Sequence, residues 1–187
     1  KFLLSAAIIF IGIALVEETL KFPAASNQIS KDKDFDEPVD AMIYMITAGL
    51  GFATAENLLI FYSSLVTISA AIPPDVFGLA PLNIELGKLA VIRFLGATFL
   101  HGLLGGLMGF FFAFAVLFPK KKWLVVVGGL TLTTVLHGFF NLGIMELGSA
   151  KGGIVTSSVI FILAIAMPWC FKKIKALHAE CKVENTS

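Results

Sequence analysis

Apolar residues dominate from Phe2 to Phe22, interrupted only near the end by Glu17-Glu18-Thr19-Leu20-Lys21, and four further apolar runs follow at Ala41–Ile72, Ile84–Phe118, Trp123–Leu147 and Ile154–Phe171. The hydrocarbon core of a bilayer, about 30 Å thick, takes about 20 residues of helix. Each run is therefore predicted to cross a membrane as a helix, and the fold class is an all-α polytopic transmembrane bundle of five spans. The second and third runs exceed one simple crossing, which predicts tilt or extramembrane turns. Between the runs stand breakers: Pro23 and the charged stretch 26–40, Pro73-Pro74 to Pro81, Pro119-Lys120-Lys121-Lys122, and Gly148 to Gly153. No internal repeat is evident, and loops this short hold no second domain. The layout predicted is a membrane domain over residues 1–171 and a polar tail over 172–187.

Orientation follows from the lysines beside the spans. Lys120, Lys121 and Lys122 precede the fourth span, and Lys172, Lys173 and Lys175 follow the fifth. Two crossings separate the clusters, so both are expected in the cytosol, with the 23–39 loop on the same side and 73–81 and 148–153 outside. A cleavable signal peptide needs a small-residue site after its apolar run, and Glu17 to Lys21 does not supply one. The first run is expected to remain as a membrane helix.

Composition agrees with the pattern: of 187 residues, 57% are hydrophobic and only 14% charged, with a mean hydropathy of +0.90. Soluble domains carry about 25% charged residues. A net charge of +1 gives no field to draw in nucleic acid, which is excluded as a partner. Cys170 and Cys181, near the lysine-rich end, are too few for a disulfide framework and are expected as reduced thiols.

Against this apolar background the ionisable and amide groups stand out. Glu17, Glu18, Lys21, Glu56, Asn57, Arg93, His101, His137, Asn141 and Glu146 all fall inside the predicted spans. Each such group costs a few kcal/mol to insert and is a functional candidate by default. Helical spacing puts His137 with Asn141, Glu17 with Lys21, and Phe52 with Glu56 on shared faces. Small residues crowd the same stretches, Gly49, Gly51, Ala53 and Ala55 before Glu56 and Gly102, Gly105, Gly106 and Gly109 after His101, so backbones there are expected to pack closely. Taken singly, each has a structural explanation. Glu17 with Lys21, or Glu18 with Arg93, could form a structural ion pair, the histidines and Asn57 and Asn141 could join helices, and Arg93 and Glu146, near span ends, could snorkel to the interface. Two imidazoles, two carboxylates and an amide together are more than packing requires.

In order along the chain, Val16-Glu17-Glu18-Thr19-Leu20-Lys21, Gly51-Phe52-Ala53-Thr54-Ala55-Glu56-Asn57, His101-Gly102 and His137-Gly138-Phe139-Phe140-Asn141 resemble the EExxK, GFAxxEN, third-helix histidine and HxxxN motifs of the PrsW family of intramembrane proteases. That family is similar in architecture to the CaaX prenyl endopeptidases, the bacteriocin-processing membrane proteins and the Aph subunit of gamma-secretase. The CaaX-type motifs read EExxxR, FxxxH and HxxxN; here Lys21 stands one residue earlier than their arginine and Glu56 replaces their second-motif histidine, as in the PrsW form. The five spans are fewer than the family usually has. The resemblance implies a multi-pass protein of a prokaryotic cell membrane, surrounded by lipid, that cuts membrane-anchored proteins similar to single-span anti-sigma factors.

Peptide hydrolysis needs an activated water, a proton donor for the leaving amine and stabilisation of the oxyanion. No serine or cysteine adjoins a histidine within these motifs, so a covalent nucleophile is unsupported. The expected catalytic set is Glu17, Glu18, Glu56, His101, His137 and Asn141, supported by Lys21, Asn57 and Arg93. His137 and Asn141 are suited to donating hydrogen bonds to the oxyanion. Water could be activated by a carboxylate alone or by a metal, with Zn²⁺ held by His101, His137 and carboxylate from Glu17 or Glu56, and the metal is preferred. Neighbouring helical side chains diverge by about 100°, so Glu17 is expected at the reacting centre and Glu18 on Lys21 or Arg93. Three other classes remain open: a non-catalytic scaffold similar to the Aph subunit, a proton- or ion-coupled transporter, and bis-histidine haem binding through His101 and His137.

Overall fold

A computed structural model describes residues 1–29, 33, 35–71 and 80–184 of the chain. Its elements in order are α1 (Phe2–Ala7), a π-helical segment (Ile8–Leu15), α2 (Val16–Ile29), α3 (Asp40–Ala71), α4 (Ala80–Arg93), a second π-helical segment (Phe94–Thr98), α5 (Phe99–Leu117), a 3₁₀ turn (Pro119–Lys121), α6 (Lys122–Met145) and α7 (Gly148–Glu184). Among the described residues there is no strand, and five helical stretches are long and apolar enough to cross a membrane. The five predicted spans are thus present.

The boundaries differ from the sequence reading in four places. Pro23, expected to end the first span, lies inside α2, which runs on to Ile29. Proline removes one backbone bond, but Phe22 and Ala25 on either side of it pack into the core, and that burial carries the helix past the gap. Residues 148–153, expected as a loop, open α7; the reversal is confined to Glu146 and Leu147, with Gly148 at φ +69°. Helix α4 begins at Ala80 and the stretch apolar enough to cross runs Asn83–Leu117, so Arg93 lies well inside a continuous helix. Residues 73–79 of the predicted 73–81 loop lie outside the described residues, and α7 continues past Phe171 as helix to Glu184.

The core is largely apolar, and the outer surface is apolar too: large side chains such as Leu59, Phe94, Trp123 and Phe161 point outward. What lipid cannot drive, close packing supplies. Helix α5 is the axis, with Leu103 through Gly109 all buried, and α3, α6 and α7 pack on it. The α3–α5 crossing is tight because glycine permits it. A Cβ on Gly109 would lie 2.7 Å from the Ala41 carbonyl oxygen, and one on Gly105 would strike the Met45 carbonyl. Gly51, grouped with these residues in the sequence, faces open space instead. The crossing brings Glu56 of α3 beside His101 of α5, while α2 and α6 bring the other polar motifs to the same level.

Candidate functional site

Glu17 and Glu18 open α2 directly after the first π-helical segment, and both meet His137 of α6. Glu18 is buried, and its Oε1 lies 2.7 Å from His137 Nδ1 and accepts a hydrogen bond from Lys21 Nζ at 2.6 Å. A neutral imidazole facing a carboxylate through Nδ1 places its proton there, which leaves the Nε2 lone pair free. Glu17 lies on that free side, with Oε2 3.7 Å from Nε2. This oxygen is buried and has no hydrogen-bond partner. The expected division between the two glutamates differs here: Glu18, expected on a basic residue alone, also meets His137, and more closely than Glu17 does. Glu18 engages Lys21, not Arg93, and the 100° between the side chains lets them bracket the two nitrogens of His137.

His101 stands at right angles to His137, ring centroids 5.1 Å apart. Its Nδ1 is 2.7 Å from Lys21 Nζ and its Nε2 is 3.0 Å from Glu56 Oε2. Lys21 thus ties Glu18 to His101, with its ammonium 4.9 Å from the centre of the Phe52 ring. Glu56 Oε2 also lies 3.0 Å from Arg93 Nη2. Arg93 Nε donates to Asn57 Oδ1, and Asn57 Nδ2 donates to Thr98 Oγ1 at 2.9 Å. Arg93 accordingly does not snorkel. Glu146 is exposed at the end of α6 and stands apart from the group. Phe52 and Thr98 were not singled out as site residues; Phe52 carried a signal in its spacing from Glu56, Thr98 none.

Glu56, Arg93, His101, His137 and Asn141 line one cavity of about 250 Å³. Three ligand atoms, one each from Glu17, His101 and His137, lie within 4.8 Å of one another. Two of these residues fit a metal as they stand, Glu17 through an unpaired buried oxygen and His137 through a lone pair whose opposite nitrogen is held by Glu18, the usual support of a metal-binding histidine. His101 completes the set by exchanging one of its two hydrogen bonds. Glu56 lies outside this group, committed to His101 and Arg93.

The buried pair gives a direct test. Lys21→Met leaves Glu18 charged and buried with one partner fewer, and a loss of about 3–5 kcal/mol is expected. Adding Glu18→Gln is expected to recover most of that loss in denaturant unfolding in detergent. A double variant as unstable as the single would contradict the pairing.

Comparison with known proteins bears on this arrangement. A sequence profile described as "PrsW family intramembrane metalloprotease" matches residues 1–168. The chain is 29% identical over 136 residues to Protease PrsW of Geobacillus kaustophilus (strain HTA426), covering 73% of this chain and 51% of that protein. It is 27% identical over 135 residues to Protease PrsW of Bacillus subtilis (strain 168), covering 71% and 51%. The chain spans about half the length of these curated relatives. No solved structure matches it.

Proposed function

The chain belongs to the PrsW family of intramembrane metalloproteases, and on that premise we propose that it hydrolyses peptide bonds of membrane-anchored proteins within or next to the bilayer, with Glu17, His101 and His137 at the reacting centre. The observation that carries the reading is Glu17 Oε2, a buried carboxylate oxygen without a hydrogen-bond partner 3.7 Å from the free nitrogen of His137. Burying such an oxygen unpaired is costly, and it is accounted for by a ligand or a reacting water.

Each residue then has a task that follows from its contacts. Glu18 holds the His137 tautomer, and Lys21 fixes Glu18 and His101. With no metal bound, Glu17 would accept a proton as the water oxygen attacks the substrate carbonyl carbon, and return it to the amine as the C–N bond breaks. Asn141, one turn beyond His137 on the cavity wall, donates its amide N–H to the tetrahedral oxygen. A divalent metal, Zn²⁺ by the nitrogen and oxygen character of the set, would be held by Glu17, His101 and His137 and would supply acidification of water and polarisation of the carbonyl. Resemblance points to single-span proteins similar to anti-sigma factors as substrates.

Purified protein in proteoliposomes is expected to cut a single-span reporter, to carry about one equivalent of metal by elemental analysis, and to lose activity to a chelator until metal is restored. Full activity at metal well below one equivalent would leave Glu17 acting unaided. Folded protein that cuts no membrane-anchored substrate would remove the reading. Because α6 and α7 are antiparallel, cysteines placed at 121 and 175 are both expected to label from the cytosol; labelling from opposite faces would overturn that topology.

A further inference from the structure

Arg93 is held in place and yet incompletely satisfied. Its Nε is fixed by Asn57, which is itself fixed by Thr98. Its Nη2, ion-paired at 3.0 Å with Glu56 Oε2, is buried and makes no aligned hydrogen bond. An unmade bond on a buried charged donor costs more than a typical bond yields, so such a group calls for an acceptor that arrives. Arg93 also joins two spaces. It lines the cavity shared by His101, His137 and Asn141, and it lines a second pocket of about 390 Å³ bounded by Leu89, Ile92, Gly96, Phe140, Ile144 and Ile160. That pocket is apolar except for Arg93, Thr156 and Ser157.

We propose that Arg93 binds a main-chain carbonyl oxygen of the substrate, one or two residues from the peptide bond that is cut. The inference rests on the peptidase reading and names a contact that reading leaves open. The acceptor is a carbonyl because Glu56 already neutralises the guanidinium; a substrate carboxylate would bring a second negative charge beside Glu56 in a low-dielectric setting. The position follows from Glu56 Oε2, which touches Arg93 on one side and His101 on the other. The guanidinium is thereby displaced from the imidazoles by the width of a carboxylate oxygen, and an extended chain advances about 3.3–3.6 Å per residue. The Asn57 and Thr98 buttress sets the direction of the donor, which lysine could not reproduce.

The test is a cycle between protein and substrate carbonyl. The probe is a synthetic twenty-residue leucine and alanine transmembrane peptide with flanking lysines and a central Gly-Ser-Gly. In each analogue one carbonyl around that centre is replaced by a methylene. Binding is measured by fluorescence in nanodiscs on Glu17→Gln protein, so that no turnover is involved. Arg93→Gln is expected to weaken binding of the parent peptide about 10-fold or more, and to change the affinity of one methylene analogue less than about twofold. Arg93→Lys is expected to recover only part of the loss, and Asn57→Ala to resemble Arg93→Gln. Equal weakening for every analogue would make Arg93 a structural residue and overturn the proposal, as would absence of saturable binding. Failure of the unaltered protein to cleave, with the coupling present, would remove the peptidase reading and leave the carbonyl contact standing.

Discussion

Glu17→Gln is expected to lower the rate of cleavage on the order of 10³-fold or more while leaving the fold intact. Glutamine keeps the shape of the side chain and removes the charge and the basic oxygen. Because Glu17 Oε2 is buried and unpaired, neutralising it relieves a desolvation cost, and thermal unfolding in detergent is expected at an unchanged or higher temperature. Loss of activity with retained stability separates a reacting group from a packing one. His137→Ala is expected to abolish activity to a similar extent with a lower stability, since it also takes a partner from buried Glu18. Glu18→Gln is expected to fall between, at about 10–100-fold, as befits a residue that orients the ring. Cleavage by folded Glu17→Gln at the parent rate would overturn the assignment of the centre.

The second large effect concerns the axis of the bundle. Gly109→Val is expected to cost about 3 kcal/mol or more, read by unfolding in bicelles, because the added Cβ meets the Ala41 and Met42 backbone and not the end of a side chain that could swing away. Gly105→Val meets the Met45 backbone in the same way. Gly51→Ala, which enters open space, is expected to be neutral or to stabilise α3 by up to about 1 kcal/mol. Similar losses at Gly51 and Gly109 would mean that the α3–α5 crossing is not set by backbone approach. Since Glu56 and His101 meet across that crossing, Gly109→Val is also expected to impair catalysis.

The spans were legible because bilayer thickness imposes a length that any apolar run must meet. Glu17, His101 and His137 were legible because ionisable groups in such runs are expensive enough to mark themselves. Thr98 has no comparable mark, since a threonine hydroxyl can satisfy itself on its own helix, and Phe52 has only its spacing from Glu56 to set it apart among eighteen phenylalanines. The end of α2 is not legible at Pro23, because proline's local penalty is outweighed by the packing of Phe22 and Ala25, which only the fold supplies. Nothing in the spacing along one helix shows that Arg93 turns inward, because what holds it are Glu56 and Asn57 of a different helix. The relation of the two glutamates to one imidazole depends on the ring's two nitrogens, which spacing along a helix does not encode.

The two π-helical segments stand one residue before Glu17 and between Arg93 and His101. On an uninterrupted α-helix, residues eight apart such as Arg93 and His101 point about 80° away from each other. A π turn takes in about one extra residue, and so withdraws about 100° of rotation. This brings Arg93 and His101 close to a single azimuth, as their shared contact with Glu56 Oε2 requires. Part of the site is therefore written in the chain as a residue count and not as a residue identity. Removing any one of the five residues Phe94–Thr98 would keep Arg93, His101 and Glu56 and yet put them out of phase, a dependence that substitution scanning, which preserves length, does not detect.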